Sequence, residues 1–349
     1  MNERETDVLI IGQGLVGTVL AYSLIKRGKR ILIIDLPWYS SSSRISAGLF
    51  NPVVFKRLTK SWMVDELRAA LIPFYNETEK LLGEKLLFDQ HILKIFSEEQ
   101  ERILWEKKMK EPVGNYLMPV SDEPINEFGE MPFGHASVKG AGYLNVQRFL
   151  SLSDTYFKSK KMLVEEKFEQ NKLTIVPNGI SYKNSSAKKI IFCEGYKAAE
   201  NPFFNWIPFK PAKGELLTVK IKDYHFDKVI NKAVFIAPLE NDLYRVGSTF
   251  VWDKINDDIT DDGKNKLIES LKKIVSDFEV VDHQAGVRPS IADRRPVLGM
   301  HPEHDQLCIF NGMGSKGVML SPYFAEHLCE HLFEGKELNK EVDIKRFWK

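Results

Sequence analysis

Apolar and polar positions near the N-terminus follow the pattern of a strand, a helix and a second strand. The run Val8 to Ile11 is short, apolar and mostly β-branched, which is typical of a buried strand. A second apolar run, Ile31 to Ile34, ends in Asp35. Before it stands Lys26-Arg27-Gly28, where cations suit the negative end of a helix dipole and glycine suits a left-handed C-cap. The pattern predicts a βαβ unit, and the apolar positions of its helix are Val16, Val19, Leu20, Leu24 and Ile25.

The turn of this unit is GQGLVG, residues 12 to 17, which has the spacing G-x-G-x-x-G. Gly12 allows the tight turn, Gly14 lets the backbone approach a pyrophosphate at the helix N-terminus, and Gly17 lets helix and strand pack closely. Asp35 follows roughly 20 residues after the first glycine, where an acid accepts hydrogen bonds from ribose hydroxyls. An acid at this position disfavours the 2′-phosphate of NADP, so NAD and FAD remain as candidate cofactors.

A second match to the same spacing, GMGSKG, spans residues 312 to 317. The apolar run Leu307 to Phe310 predicts a strand before it. A helical apolar stripe follows, with Pro322 in the first turn, where proline is tolerated. The chain then continues as GKELNKEVDIKRFWK, which contains no apolar strand that ends in an acid. Half of a βαβ unit is therefore missing, and we interpret this loop as the far end of one cofactor bound at GQGLVG. The stripe consists of Leu320, Phe324, Leu328 and Leu332.

Two other stretches have the composition of ligand-binding segments. In SSSRISAGLFNPVV, residues 41 to 54, Arg44 and the small residues 46 to 48 precede the turn at Asn51 and Pro52. Small residues in such a loop favour close approach to a ligand, whereas the serines at 40 to 43 alone are best explained as a solvated linker. The stretch KKIIFCEG predicts a strand that ends at Gly195, and a glycine there makes either a bulge or room for a ligand.

Composition narrows the class of protein. The chain has 349 residues, 43% of them hydrophobic, which suffices for two domains or one large one. Lys and Arg exceed Asp and Glu by a single charge, so we expect no general attraction to nucleic acid. Three isolated cysteines favour a reducing, cytoplasmic location. The N-terminus has the pattern of neither a signal peptide nor a transmembrane span.

Together these motifs resemble the FAD-dependent oxidoreductases of the D-amino-acid oxidase and glycine oxidase superfamily, over nearly the whole chain. The resemblance also rests on KGE at 213 to 215, GVRPSIADRRPVLG at 286 to 299 and NGMGSKGVMLSP around the last helix. It implies one FAD, with its pyrophosphate on the first glycine loop and its isoalloxazine ring near the last helix. It also implies non-covalent FAD, since the flavin-linked cysteine of monomeric sarcosine oxidases corresponds to Gly286 here.

The resemblance further implies the architecture. We expect an α/β fold in which a Rossmann-like FAD-binding domain of the glutathione-reductase type carries an inserted α+β substrate domain with a mixed β-sheet. Residues 1–55, 140–200 and 283–349 would form the FAD-binding domain, and residues 56–139 and 201–282 the substrate or cap domain. Within these ranges, GYLNVQRFLSL predicts a helix, and LLTVKI and LYRVGSTF predict strands of the second insertion.

Arg288 is the main catalytic candidate. It matches the arginine that pairs with the substrate carboxylate in glycine-oxidase-like members, although an arginine fixed to a backbone carbonyl beside a proline is the alternative. A tyrosine that helps hold the carboxylate in those members is Phe235 here. Lys316 is either a cation near flavin N1 and the C2 carbonyl or a lysine in solvent. The predicted FAD contacts are Gly12, Gly14, Leu15, Val16, Gly17, Asp35, Arg44, Ser46, Ala47, Gly48, Asn51, Gly195, Gly312, Gly314, Ser315, Lys316, Gly317 and Val318.

Two histidine pairs have metal-like spacing, and we predict no metal at either. HLCEH, residues 327 to 331, fits H-x-x-E-H, but no third ligand is recognisable and its helix is already assigned to the flavin. His301 and His304 are interpreted as surface-loop residues rather than ligands.

The predicted activity is oxidation of a small amine or amino acid by hydride transfer from the α-carbon to flavin N5, which gives an imine. Three alternatives stay open: a 2-hydroxy acid as substrate, a modified tRNA base as substrate, and a flavoprotein that only relays electrons. The near-zero net charge argues mildly against tRNA. The electron acceptor would be oxygen or a quinone.

Overall fold

The N-terminal residues fold as the βαβ unit that the apolar pattern predicts. Strand β1 (Arg4–Ile11), helix α1 (Leu15–Lys26) and strand β2 (Ile31–Asp35) follow in order, and the two strands pair in parallel. Gly28 lies beyond the helix end with φ +69°, the left-handed conformation expected of a C-terminal glycine. The structure, a computed structural model, describes residues 4–36, 41–125, 128, 131–222 and 226–348.

The remaining elements are numbered in chain order. The other helices are α2 (Ser42–Ile45), α3 (Val64–Leu82), α4 (Glu99–Lys108), α5 (Val146–Ser159), α6 (Asp261–Leu271) and α7 (Gly317–Glu334). The other strands are β3 (Leu49–Phe50), β4 (Val53–Val54), β5 (Thr59–Lys60), β6 (Leu87–Ile95), β7 (His135–Leu144), β8 (Leu163–Glu165), β9 (Leu173–Val176), β10 (Gly179–Tyr182), β11 (Ser185–Phe192), β12 (Ala212–Ile221), β13 (Val229–Asn231), β14 (Phe235–Pro238), β15 (Leu243–Gly247), β16 (Phe278–Arg288), β17 (Val297–Met300) and β18 (Leu307–Asn311).

The first sheet has the strand order β17-β18-β11-β1-β2-β8, and β18 to β8 run in parallel. Val8 and Ile10 of β1 face a core shared with α1, α3, α5 and α7, whereas Leu9 and Ile11 face a second core on the opposite side. Burial on both faces explains why this strand is a continuous apolar run instead of an alternating one. The carboxyl ends of β1, β2 and β11 meet at one edge, where α1 begins.

The second sheet has the order β16-β12-β15-β14-β13-β6-β7-β3 and is mixed, because β13 and β6 pair in parallel and the other neighbours are antiparallel. Leu217 and Val219 of β12 pack against Leu267 and Leu271 of α6 on one face. On the other face, Leu216 lines a cavity between the two sheets. The predicted fold class, an α/β fold with a second mixed sheet, is confirmed.

Two elements differ from the sequence interpretation. The helix expected from Gly142 begins at Val146, because residues 142 to 144 complete strand β7, and the Asn145 side chain caps the helix by accepting from the Arg148 N–H at 3.1 Å. Helix α3 falls in the segment predicted as cap, yet its Leu67 lies in the core of α1 and α7. The exact domain boundaries stay a prediction.

The three cysteines, Cys193, Cys308 and Cys329, are buried free thiols. Burial raises the pKa of Cys308 and of Cys329 to about 12, so both stay protonated at neutral pH. Among the described residues, no helix has the length and apolar character needed to cross a membrane.

Candidate functional site

The glycines of GQGLVG have the geometry predicted for a dinucleotide turn. Gly12 has φ +100°, and a Cβ there would lie 2.6 Å from the Cys193 carbonyl oxygen. A Cβ at Gly17 would overlap the carbonyl oxygen of Gly12. Gly14 is the N-cap of α1 and has no side chain of its own to satisfy the first N–H groups of the helix. Gly14, Leu15 and Val16 line a cavity, so a pyrophosphate fits this end of the helix.

Residues 41 to 46 fold over the start of α1 instead of forming a solvated linker, so that interpretation is wrong for Ser41 to Ser43; residue 40 lies outside the described residues. Ser43 Oγ accepts a hydrogen bond from the Leu15 N–H at 3.1 Å, and Ser41 Oγ accepts from the Arg44 N–H at 3.4 Å. Serine hydroxyls are good partners for exposed helix N–H groups, which explains the ordered short helix α2. A serine run alone did not reveal this role.

A first cavity of about 470 Å³ opens at the carboxyl ends of β1, β2 and β11. Asp35 lines it, and burial raises its pKa to about 6, against the lowering effects of the Gln13 N–H and the Arg44 charge. Glu194 also lines it, and burial raises its pKa to about 7, although its carboxylate accepts from Asn201 Nδ2 at 2.7 Å. The cavity thus offers helix N–H groups and Arg44 to phosphates and carboxyl groups to ribose hydroxyls.

A second cavity of about 430 Å³ lies between the two sheets. Its walls come from the segment 46–48, the loop before α7, and Leu216, Phe235 and Arg288 of the second sheet. Both cavities are lined by Leu15, Val16, Ser42, Ser43 and Pro289, so they adjoin at the start of α1. The two cavities together leave room for one elongated molecule between the two glycine-rich loops, and its binding to both stays a prediction. The predicted contact residues that line the cavities are Gly12, Gly14, Leu15, Val16, Asp35, Arg44, Ser46, Ala47, Gly48, Gly195, Gly314, Ser315, Gly317 and Val318.

Arg288 ends β16 at the wall of the second cavity. Its guanidinium donates to Ser248 Oγ at 2.7 Å and to the carbonyl oxygens of Lys213 at 3.2 Å and Thr249 at 3.3 Å, and it lies 4.0 Å from the centroid of the Phe250 ring. Burial lowers its pKa to about 10. No carboxylate of the described residues forms an ion pair with it. A guanidinium has five N–H donors, so the three protein contacts fix its orientation and leave donors for an anion.

Four predicted contact residues lie outside the lining of both cavities: Gly17, Asn51, Gly312 and Lys316. Lys316 Nζ donates to Ser61 Oγ at 3.1 Å, and Ser61 Oγ donates to the Asn51 carbonyl oxygen at 3.1 Å. Burial, and secondarily the Arg295 charge, lowers the pKa of Lys316, so this side chain is not a free lysine in solvent. Its action on the flavin stays a prediction.

Several lining residues were not predicted. Ser248 and Phe250 follow strand β15 without any motif, and their role arises only because that strand ends beside Arg288. Glu194 had a readable signal, since an acid that directly precedes a strand-end glycine lies at the same sheet edge as Asp35. Val234 is an apolar wall residue of the second cavity, with nothing in its sequence context to mark it.

The histidine pairs are engaged within the protein. In the H-x-x-E-H segment, His327 Nε2 accepts from the Asn339 N–H at 2.9 Å, and His331 Nδ1 lies 2.7 Å from the Lys336 carbonyl oxygen. His301 is buried, so its interpretation as a surface residue is wrong. Its Nδ1 accepts from the Glu303 N–H at 3.2 Å, and its ring stacks on that of His304. Ligand atoms of His301, Glu303 and His304 lie within 4.8 Å of one another.

Comparison with known proteins gives related sequences and folds. Glycine oxidase of Bacillus subtilis (strain 168) is 24% identical over 97% of this chain and 96% of its own length. The bifunctional tRNA 5-methylaminomethyl-2-thiouridine biosynthesis protein MnmC of Legionella pneumophila (strain Lens) is also 24% identical, but the chain spans only 46% of its length. The crystal structure of glycine oxidase from Geobacillus kaustophilus superposes with a TM-score of 0.80 at 21% identity, covering 99% of this chain and 98% of that one.

The family model that matches is DAO, FAD dependent oxidoreductase, over residues 7–331. The glycine turn, the helix N-terminus, the acid at the end of β2 and the two adjoining cavities fit the flavin dinucleotide that this family uses. The chain belongs to the DAO family of FAD-dependent oxidoreductases.

Proposed function

We propose that the protein oxidises a small amine that carries a carboxylate, as an amino acid or an N-substituted amino acid does. The observation that carries this proposal is the half-buried Arg288 guanidinium, which is oriented by protein groups but has no acidic partner among the described residues. Removing a cation from water is costly unless an anion compensates for it, so a carboxylate is the ligand that this site favours. The similarity to glycine oxidases supports the same substrate class.

The residues of the second cavity would act by positioning and by excluding water. FAD, when bound, supplies the acceptor for the hydride of the substrate α-carbon. Arg288 would fix the carboxylate, and Ser248 and Phe250 would hold Arg288 in place. The apolar walls at Leu216, Val234 and Phe235 would keep the reacting carbon dry.

We further propose that FAD binds without a covalent link. Gly286 offers no nucleophile, and a Cβ there would lie 2.5 Å from Ile45 Cδ1, so a larger residue would have to displace the Ile45 side chain. Removal of FAD by dialysis against a chaotropic salt and its recovery on addition test this point. A flavin that stays with the denatured chain contradicts it.

The first experiment is an anaerobic titration of the holoenzyme, followed by the visible spectrum, with glycine, sarcosine, proline, D-amino acids and 2-hydroxy acids. Bleaching by amines that carry a carboxylate supports the proposal.

Arg288→Ala should raise KM for such a substrate by roughly 10- to 100-fold, as expected for the loss of charged hydrogen bonds. Arg102→Ala, which removes an arginine paired with Asp122 outside the lining of both cavities, is the control and should leave KM unchanged. Equal loss of FAD content and of substrate binding in Arg288→Ala would overturn the proposal that Arg288 binds the substrate carboxylate.

A modified tRNA base is the second candidate substrate. The observation that favours it is the similarity, over 86% of this chain, to MnmC proteins, which take part in the biosynthesis of 5-methylaminomethyl-2-thiouridine in tRNA. An RNA substrate would bind with strong salt dependence, because phosphate contacts release counterions. Salt-dependent tRNA binding, together with a flavin that no small amine bleaches, would favour this candidate. A flavin that neither class of substrate reduces would favour an electron-relay role.

A further inference from the structure

An exposed aromatic pair stands at the mouth of the second cavity. Phe250 and Trp252 are 49% and 59% exposed, and their rings stack with centroids 6.0 Å apart and an interplanar angle of 28°. Phe250 also lines the cavity and covers the Arg288 guanidinium. The pair thus continues the wall of the substrate cavity outward into solvent.

The backbone beneath this pair is fixed to the second sheet. The Val251 N–H donates to the Lys213 carbonyl oxygen at 3.0 Å, and the Lys213 N–H donates to Val251 at 2.9 Å. Two residues before Val251, Thr249 Oγ1 accepts from the Glu215 N–H at 2.9 Å. Because neighbouring side chains of an extended segment point to opposite faces, Phe250 and Trp252 emerge on the same side. The two rings are therefore presented on a rigid support, which lowers the entropic cost of binding a ligand.

We infer that Phe250 and Trp252 form a subsite for a planar, unsaturated substituent on the amine substrate whose carboxylate is bound by Arg288. This inference rests on the proposed function. Phe250 lies against the Arg288 guanidinium and Trp252 lies against Phe250, so a ligand held at Arg288 would lie beside Phe250 and its outward substituent would meet Trp252 next. Flat, exposed rings bind another flat ring more tightly than a saturated group of equal size, because stacking adds to the free energy of apolar burial.

A substrate substituent explains this pair better than a large partner does. The pair exposes only two side chains, and this area is far smaller than the one that a protein partner needs to bury. The flanking residues Asp253 and Lys254 carry opposite charges, so they add no attraction to a polyanion or an anionic surface. The pair is assigned to the substrate because Phe250 also lines the cavity and so connects the two.

The test compares three carboxylates on the oxidised holoenzyme: N-benzylglycine, N-(cyclohexylmethyl)glycine and sarcosine. Binding is followed by perturbation of the flavin absorbance under conditions without turnover. We expect N-benzylglycine to bind about fivefold tighter than its saturated analogue, as stacking of aromatic rings predicts. Trp252→Ala should remove this ratio, and Trp252→Phe should retain most of it. Ile259→Ala removes another exposed apolar side chain, 54% exposed, from the same loop and should leave the ratio unchanged.

The outcomes separate the subsite from the proposed function. If sarcosine binds but the benzyl and cyclohexylmethyl compounds bind equally, or if Trp252→Ala keeps their ratio, the subsite is overturned and the proposed function stands. If none of the three carboxylates perturbs the flavin spectrum, both are overturned together.

Discussion

At the scale of single residues, Asp35 combines a predicted role in binding the ribose of FAD with a cost to the stability of the folded chain. Burial raises the pKa of its carboxyl to about 6, above the 3.8 of an exposed aspartate. The folded chain therefore holds this proton at pH values where the unfolded chain has lost it, and stability decreases as the pH rises from about 4 through 6. Above that window the carboxylate is charged, and it is then ready to accept hydrogen bonds from ribose.

Asp35→Asn should therefore change stability and FAD binding in opposite directions. Above pH 6 and without FAD, the variant should be more stable by about 2 kcal/mol, since no buried charge is formed. It should also bind FAD more weakly, because the amide is a poorer acceptor. Thermal unfolding between pH 3 and 8 measures the first effect, and the difference should shrink as the pH falls through 4, because the carboxyl then becomes protonated in both states. Glu194→Gln removes the other carboxyl of the cavity whose pKa burial raises, and its gain in stability should be complete only nearer pH 7. A stability difference that does not depend on pH would contradict the assignment.

Phe235 tests whether one missing hydroxyl limits the affinity for small amino acids. Its ring lines the second cavity beside Gly247. Phe235→Tyr should place an O–H donor in an apolar wall, and a hydrogen bond to a carboxylate should lower KM for glycine by roughly tenfold. An amine without a carboxylate, such as methylamine, is the control substrate and should gain nothing. An equal gain for both substrates would show that the hydroxyl does not act on the carboxylate.

Sequence reasoning found the residues whose role depends on local backbone geometry. Gly12 and Gly17 could be predicted because a tight turn between a strand and a helix requires glycine at these positions, whatever the rest of the fold. Ser43 and Phe250 could not, because each contacts a site residue that is distant in sequence or belongs to another strand. Arg288 was found only through family resemblance, since an isolated arginine has no local signature.

At the scale of elements, the start of α1 depends on how closely the helix approaches β1 and β11. A Cβ at Gly17 would overlap a backbone oxygen, which cannot swing aside as a side chain does. Gly17→Ala should therefore destabilise the protein by about 3 kcal/mol and reduce its FAD content, because forced overpacking shifts the cofactor turn.

Gly28→Ala is the matched control for this prediction. Gly28 lies at the other end of the same helix, with φ +69° and no atom within 4 Å of an added Cβ. The substitution should cost about 1 kcal/mol from the left-handed conformation alone and keep the FAD content. Urea unfolding and the flavin absorbance per chain measure both effects. Similar FAD loss in the two variants would mean that general destabilisation, rather than the turn, controls binding.

Apolar periodicity located most elements but not all of their ends. The helix at 146–159 was placed too early because residues 142 to 144 carry an apolar pattern compatible with either a strand or a helix. A Cβ at Gly142 would overlap the Phe88 carbonyl oxygen, so pairing with β6 decides the boundary. The pairing of β13 with β6 likewise joins distant segments, and no local pattern contains that information.

At the scale of the whole molecule, the two adjoining cavities are expected to divide the recognition of FAD. The first is built on the first sheet and suits an ADP moiety, whereas the second lies between the sheets and suits the flavin ring and the substrate. ADP alone should therefore bind and stabilise the chain, but by less than FAD at the same ligand concentration. At 100 times its dissociation constant, a ligand adds about 2.7 kcal/mol to the free energy of unfolding, so thermal shifts resolve the difference.

Variants in the two cavities should respond differently to these ligands. Asp35→Asn should weaken ADP and FAD by the same factor, roughly 10- to 100-fold, because the carboxylate would contact only the ribose that both share. Phe235→Tyr should leave ADP affinity unchanged, since Phe235 lines only the second cavity. Isothermal titration of both ligands into FAD-depleted protein measures the factors. If Asp35→Asn weakens FAD but not ADP, the adenosine end cannot lie at β2, and the dinucleotide would have to run through the two cavities in the reverse direction.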